Sequence, residues 1–338
     1  MVYKEITRKP VSGSNVWLGS DMSNRCDWIY TFNSSELSEI NLAVKKIPTE
    51  VPELYRVTPR EFPLPKLKNL LNKISEDLQF GRGFVLFRGI PVDSYSEKEL
   101  AAILWGIGSH FGVGLVQSFK GDRLGHVIDR TDCKTNKRHM RNYELGGKLR
   151  MHTDLNNDIV ALMMLQHAKS GGESRIASSM TIHNIILEEH PEFLEPLFRG
   201  YYFHFLNSKD PADAQLTDHR VPVFINHGKT VSCHFNPSPI DRSVERAGVK
   251  LNKVESEAVQ YIEKVALRPG VYLDMTLEPG DIQFLNNHVI MHGRTHYEDY
   301  TQMEKRRHLL RLWLRSESAQ EQPPETHVHQ TDNQGNRA

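Results

Sequence analysis

From Val113 onward the chain breaks into short apolar runs, each cut off by Gly, Pro, Asn, Asp or Ser. The runs "GLVQSF", "RLGHVIDR", "DIVALMMLQH", "GGESRIASS", "YYFHFL", "VPVFIN", "TVSCHFN", "GVYLDMTL", "GDIQFLNNHVIMHG" and "RHLLRLWLR" read as strands. Helical spacing interrupts them near residues 181–189 and 256–266. A doubly wound parallel sheet needs a helix after nearly every strand, so this pattern argues against one. It predicts a sandwich or barrel of short strands. No repeat of fixed period is present.

The first third of the chain carries the helices that would pack outside such a core. Asn33 and Glu36 are spaced as a capping box ahead of "ELSEINLAV". In "LPKLKNLLNKISEDLQFGRG", Leu67, Leu70, Leu71, Ile74 and Leu78 keep helical spacing and Gly81 stops the helix. "GFVLFRGIPV" follows as a buried strand, and Ser96 with Glu99 opens a further helix, "SEKELAAILWGIGSHFG". The expected organisation is one domain over residues 1–318. Within it, 1–60 form a peripheral segment, 61–112 the flanking helices and 113–318 the strand-rich core. Residues 319–338 are polar and rich in Pro, Gln and Asn, and read as a disordered tail that includes His327 and His329.

Composition narrows the partners. Lys plus Arg and Asp plus Glu both number 42, which offers no electrostatic footprint for nucleic acid. Cys26, Cys133 and Cys233 form no metal or disulfide pattern, and the N-terminus has no apolar leader. No run approaches a membrane span. A cytoplasmic protein acting on a small molecule is expected, with no nucleic-acid or membrane partner; self-association stays open.

Chemistry concentrates at "LRMHTDLNND". His152-Thr-Asp154 is the one HxD in the chain, against two HxE pairs, His190 with Glu192 and His296 with Glu298. "LRMHTD" reads as a strand running into a turn. Residues two apart on a strand point to the same side, so His152 and Asp154 can reach one ion together. Two imidazoles and a carboxylate on one face of iron(II) leave positions open for co-substrate and oxygen. A distant histidine must complete the set. "NNHVIMHGRTHYEDYTQMEKRRHLLRLWL" offers His288, His292, His296 and His308. His288 and His292 share one face of the expected strand, and Gly293 beside His292 permits close approach.

Several motifs then occur in a familiar order. "HTD", "SGGES" and "NNHVIMHGRTHYEDY…RRHLLRLWL", preceded by "GRGFVLFRGIPV" and "WGIGSHFG", resemble the TauD/TfdA family of iron(II), 2-oxoglutarate-dependent dioxygenases over roughly residues 60 to 315. The resemblance implies a mainly β fold with flanking helices, a double-stranded β-helix or jelly-roll of the cupin-like barrel type. It implies that His292, rather than His288, joins His152 and Asp154 at the metal. It makes Arg307 the clamp on the distal carboxylate of 2-oxoglutarate, a task suited to the planar guanidinium fork. Ser174 matches a hydroxyl that assists the clamp. Arg311 matches a position nearer iron that meets substrate or the inner carboxylate. On a strand, Arg307, Arg311 and Arg315 share a face and Arg306 takes the other. Gln117 matches a substrate-contacting position on the opposite wall, and its neutrality disfavours a taurine-like sulfonate. Arg141, Asn142, Tyr143 and Asn156 are candidate substrate contacts around the "HTD" strand. "GIGSHFG" follows a helix rather than a strand, so it is not a dinucleotide fingerprint.

The implied cofactors are Fe(II), 2-oxoglutarate as co-substrate, and O2. The implied reaction oxidises, most simply hydroxylates, a C–H bond of a small carboxylate- or amino-acid-like molecule with release of succinate and CO2. Desaturation, epoxidation or ring formation would use the same cofactors. A zinc hydrolase would need an acid/base glutamate, and no HExxH occurs. A non-catalytic ligand-binding jelly-roll would leave the arginine strand unexplained.

Overall fold

The computed structural model describes residues 5–118, 121–130, 146–206, 214–228, 230–319, 321–326 and 328. Its helices are α1 (Gly19–Ser23), α2 (Ser34–Val44), α3 (Lys68–Phe80), α4 (Glu97–Ser109), α5 (Ser179–Glu189), α6 (Leu194–Arg199), α7 (Pro237–Ala247) and α8 (Lys253–Ala266). The strands are β1 (Ile29–Thr31), β2 (Phe84–Arg88), β3 (Val113–Gly114), β4 (Leu124–Ile128), β5 (Leu149–His152), β6 (Ile159–Gln166), β7 (Ser170–Gly171), β8 (Ser174–Ser178), β9 (His204–Leu206), β10 (Ala214–Leu216), β11 (Phe224–Asn226), β12 (Val231–Cys233), β13 (Tyr272–Met275), β14 (Ile282–Asn286), β15 (Ile290–Arg294), β16 (Tyr297–Glu298) and β17 (His308–Arg315). Among the described residues no helix is long and apolar enough to cross a membrane.

Two sheets build the jelly-roll core. The major sheet runs β1-β2-β14-β6-β17-β3, with β4 also paired to β17. The minor sheet runs β13-β8-β15-β5. Pairing is antiparallel except between β1 and β2. β17 shows how one strand serves two layers. Leu310, Leu312 and Leu314 join the cluster that packs under α2, α3 and α4, together with Ile103, Ile107 and Phe284. Leu309 turns the other way, towards the cluster holding Ile176, Met151 and Leu285. By the two-residue period, Arg311 and Trp313 share the face of Leu309 and not that of the helices.

The local signals explain the helix ends. Asn33 and Ser96 each form a full capping box with the glutamate three residues on, and Asn252 does the same at the start of α8. α7 begins "PSP", which looks like a helix breaker. Pro237 and Pro239 occupy its first turn, where backbone N–H groups need no helical partner.

Three expectations change. "GDIQFLNNHVIMHG" is two strands, broken at Asn287–Val289 between β14 and β15, so His288 lies in the turn and not on the strand of His292. "GLVQSF" contributes only Gly114 and its neighbour Val113 to a strand, and Gln117 lies beyond it. The stretch expected to be disordered packs onto the core in part. Val328 is buried among the residues of the inner cluster, Gln322 accepts hydrogen bonds from Ser232 and from the His234 ring, and the His219 ring meets the Glu325 carbonyl. Burial of one valine and satisfaction of these polar groups hold a segment whose composition alone would leave it loose.

Candidate active site

β5 and β15 pair antiparallel with His152 directly opposite His292. The register slips by one residue beyond them, since Arg294 pairs with Leu149. That bulge on β5 re-aims the strand end beside the site. A Cβ at Gly293 would stand 2.8 Å from the Leu149 carbonyl oxygen, so glycine is what lets the two strands approach here. The His152 and His292 rings lie 4.3 Å apart. Asp154 completes the group: its Oδ1 is 3.7 Å from His152 Nε2 and its Oδ2 is 3.7 Å from His292 Nε2. One ligand atom from each of the three falls within 4.8 Å of the others.

The surroundings fix this group. His152 Nδ1 lies 2.8 Å from the Arg150 carbonyl, which assigns the proton to Nδ1 and leaves Nε2 as a lone pair facing Asp154. Arg150 in turn is bound by Glu263 and Asp241, which anchors β5 to α8 and α7. Trp313 donates its indole N–H to Asp154 Oδ2 at 2.9 Å. Asn287 grips the chain after Asp154 from both sides: its Oδ1 accepts from Asp154 N at 2.8 Å, and its Nδ2 donates to the carbonyls of Asp154 and Asn157. His288 is taken up by Asp158 at 2.8 Å, so it secures the same turn and does not face the triad.

The electrostatics suit a cation. Burial alone would raise the Asp154 carboxyl, but the Arg311 guanidinium and the two imidazoles outweigh it and hold the group well below the usual carboxylate range. Burial, reinforced by His152, lowers His292 to about 3, so its imidazole is neutral. A buried carboxylate flanked by two imidazoles is the donor set that non-haem iron(II) takes.

The arginines do not all sit on one strand: Arg306 and Arg307 precede β17, Arg311 lies within it, and Arg315 ends it exposed. Arg307 is buried, donates Nη2 to the Gly172 carbonyl at 3.0 Å and lies 5.6 Å from the Tyr297 ring centre. Gly172 has φ +83°, and a Cβ there would meet Arg307 Nε at 2.8 Å, so "SGG" makes room for the side chain. Burial and the neighbouring Arg294 lower Arg307 to about 10. Arg306 points elsewhere, to the carbonyls of Asp129 and Tyr300. Arg311 Nη1 sits 3.9 Å from Asp154 Oδ1, and its guanidinium lies over the Trp313 ring at 4.5 Å. Ser174 pairs with Arg294 across β8 and β15, and its hydroxyl donates to Gln283 at 3.0 Å.

Two expected substrate contacts are occupied otherwise. Gln117 does not stand on the opposite wall. It is buried against Arg311, accepting from Arg311 Nε at 2.8 Å and donating to the carbonyls of Arg123 and Arg311. Its neutrality therefore orients an arginine and gives no direct discrimination against a sulfonate. Asn156, at φ 62°, uses its amide on both backbone groups of Val328 and so fastens the C-terminal segment. Arg141, Asn142 and Tyr143 lie outside the described residues. Trp313 and Asn287 escaped the sequence reading. Trp313 stands two residues past Arg311, so strand parity was the signal for it; the Asn286-Asn287 doublet signalled a turn.

Comparison with known proteins gives the family. The family model described as "Taurine catabolism dioxygenase TauD, TfdA family" matches residues 46–313. The chain is 30% identical over 328 residues to FR-33289 synthase of Streptomyces rubellomurinus, covering 96% of both chains. It is 26% identical to the taurine hydroxylase-like protein SAT17 of Stachybotrys chartarum, covering 88% of this chain and 77% of that one. Among solved structures, asparagine oxygenase in complex with Fe(II), 2S,3S-3-hydroxyasparagine and succinate superposes with a TM-score of 0.67 at 16% identity, over 85% of this chain and 93% of that one. The non-heme iron oxygenase OrfP in complex with Fe and alpha-ketoglutaric acid gives 0.62 at 14% identity, over 86% and 94%. The chain therefore belongs to the TauD/TfdA family and is a non-haem iron oxygenase that uses Fe(II), 2-oxoglutarate and O2.

Proposed function

We propose that this oxygenase hydroxylates a C–H bond of a small carboxylate- or amino-acid-like molecule, at a centre where His152, Asp154 and His292 hold the iron. The observation that carries the reading is the convergence of these three side chains, with the His152 tautomer set by Arg150 and the Asp154 carboxylate set by Trp313. Bound iron(II) supplies oxygen activation, with 2-oxoglutarate as the reductant that leaves as succinate and CO2.

The chain's own residues bind, orient and exclude water. Arg307 presents a buried planar fork for the distal carboxylate of 2-oxoglutarate, seated against Gly172 and Tyr297. Arg311 places a second cation beside Asp154, where it meets the anionic group of a substrate or the inner carboxylate of the co-substrate. A carboxylate at Asp154 fills the place that a halide would need, which favours hydroxylation over halogenation. The fold neighbours have been solved in complex with a hydroxyasparagine and with hydroxyarginines, which are amino-acid derivatives of the class proposed here.

The test is a panel of amino acids, simple carboxylates and taurine incubated with Fe(II), ascorbate and 2-oxoglutarate, followed by mass spectrometry and succinate assay. At least one amino-acid-like or carboxylate compound should gain the mass of one oxygen atom in step with succinate. Efficient turnover of taurine, with none of the carboxylates oxidised, would overturn the substrate assignment.

A further inference from the structure

A second set of metal-ligating side chains lies on the far face of the major sheet. His308 opens β17 and His126 lies in the paired β4, with Leu310 directly opposite His126. The two histidines are therefore diagonal neighbours on one sheet face, the face that Leu310 turns towards α4. Glu97, in the first turn of α4, reaches over them. His126 Nδ1 and His308 Nε2 are 2.9 Å apart. Glu97 Oε1 is 3.7 Å from His126 Nδ1, and Oε2 is 3.9 Å from His308 Nδ1. One ligand atom from each lies within 4.8 Å of the others.

The spacing bears directly on what can sit there. A tetrahedral zinc ion with bonds of about 2.0–2.1 Å holds its ligand atoms about 3.4 Å apart. The 2.9 Å and 3.7 Å separations fall on either side of that value. The gap to Glu97 closes easily, because its side chain is 58% exposed, and a small tilt of the partly buried rings opens the contact between them. Burial lowers both histidines, His308 to about 4, so at neutral pH both imidazoles are in the form that ligates. The charges of Arg130 and Asp122 act on His126 in opposite senses.

The geometry points to a site for a zinc-class divalent ion held by Glu97, His126 and His308, with a fourth position open to water. Such an ion would staple the start of α4 to the β4–β17 pair. It would lie across the sheet from Arg311 and Trp313 and serve no step of the oxygenase reaction. The plainer arrangement, a hydrogen bond between two imidazoles capped by a carboxylate, would have no such affinity, and this separates the two.

Zinc should be titrated calorimetrically into full-length, metal-stripped protein carrying His152→Ala, which empties the proposed iron centre. The expected result is one zinc equivalent that disappears when His126→Asn is added and weakens by more than about tenfold with Glu97→Gln, since even outer partners of a metal are worth that much. At one zinc concentration, zinc should also raise the melting midpoint of the His152→Ala protein by more than that of His152→Ala/Glu97→Gln. Glu97 is exposed, so that second variant keeps the fold if His126→Asn does not. Zinc stoichiometry and affinity that are the same with and without these side chains would overturn the inference.

Discussion

Replacing Trp313 with Phe should weaken iron(II) binding while leaving the protein folded. The indole N–H is what the Asp154 carboxylate leans on, at 2.9 Å in a buried setting. A hydrogen bond to a charged group is worth about 1.5–3 kcal/mol. At about 1.4 kcal/mol per factor of ten, that corresponds to roughly 10- to 100-fold in affinity if the whole bond serves to hold the carboxylate in its binding orientation. Loss of an outer partner at metal sites generally costs about 10–100-fold, so two independent routes reach the same range. Phe keeps an aromatic face for Arg311, whose guanidinium lies 4.5 Å from the Trp313 ring. The stability cost should therefore stay below the roughly 3–5 kcal/mol of cutting a buried aromatic to Ala. The assay is an anaerobic iron(II) titration by calorimetry, with a thermal melt of the apo protein as the folding control. Iron affinity within about twofold of wild type, in a folded Trp313→Phe protein, would show that Trp313 packs against Asp154 without orienting it.

Other residues give separable effects. Arg307→Lys should weaken 2-oxoglutarate at least about tenfold with iron binding unchanged, because an ammonium cannot reproduce the planar fork; equilibrium binding of both ligands reads it, and a larger loss in Arg306→Lys would mean the strand register is wrong. Gln117→Ala removes the acceptor for Arg311 Nε inside the core. It should lower stability by about 1–3 kcal/mol and raise the substrate KM more than the 2-oxoglutarate KM, measured by denaturant titration and steady-state kinetics. Val328→Asp should destabilise by at least about 2 kcal/mol, since the side chain is buried in the inner cluster; an unchanged melt would restore the picture of a loose tail.

The elements with strong local chemistry were legible from sequence. Capping boxes at Asn33 and Ser96, the alternation in "RHLLRLWLR", and the HxD at His152 each express a short-range rule that tertiary contacts did not override. What stayed hidden depends on contacts distant in sequence. Asn287 holds the turn after Asp154 from 133 residues away, and nothing in "NNH" says which asparagine will do so. The break between β14 and β15 was obscured because apolar residues continue past the polar triplet; the doublet of asparagines, which favour turns, was the better guide. His288 looked like a rival ligand only while that break went unseen. Gln117 was matched to a substrate wall, yet its partner Arg311 lies 194 residues on, and only the fold shows that the amide is already committed. The tail is the limiting case: one buried valine and a few side-chain contacts order part of a segment that composition marks as loose.

The central claim is that His152, Asp154 and His292 hold the iron that joins 2-oxoglutarate. The most direct measurement is anaerobic titration of iron(II) and 2-oxoglutarate, following the visible absorption of their chelate on the protein, in wild type and in His152→Ala, Asp154→Ala, His292→Ala and His288→Ala. The chelate band should appear in wild type and in His288→Ala, and should be lost or strongly weakened in the other three. A band that survives in His292→Ala and vanishes in folded His288→Ala would contradict the claim.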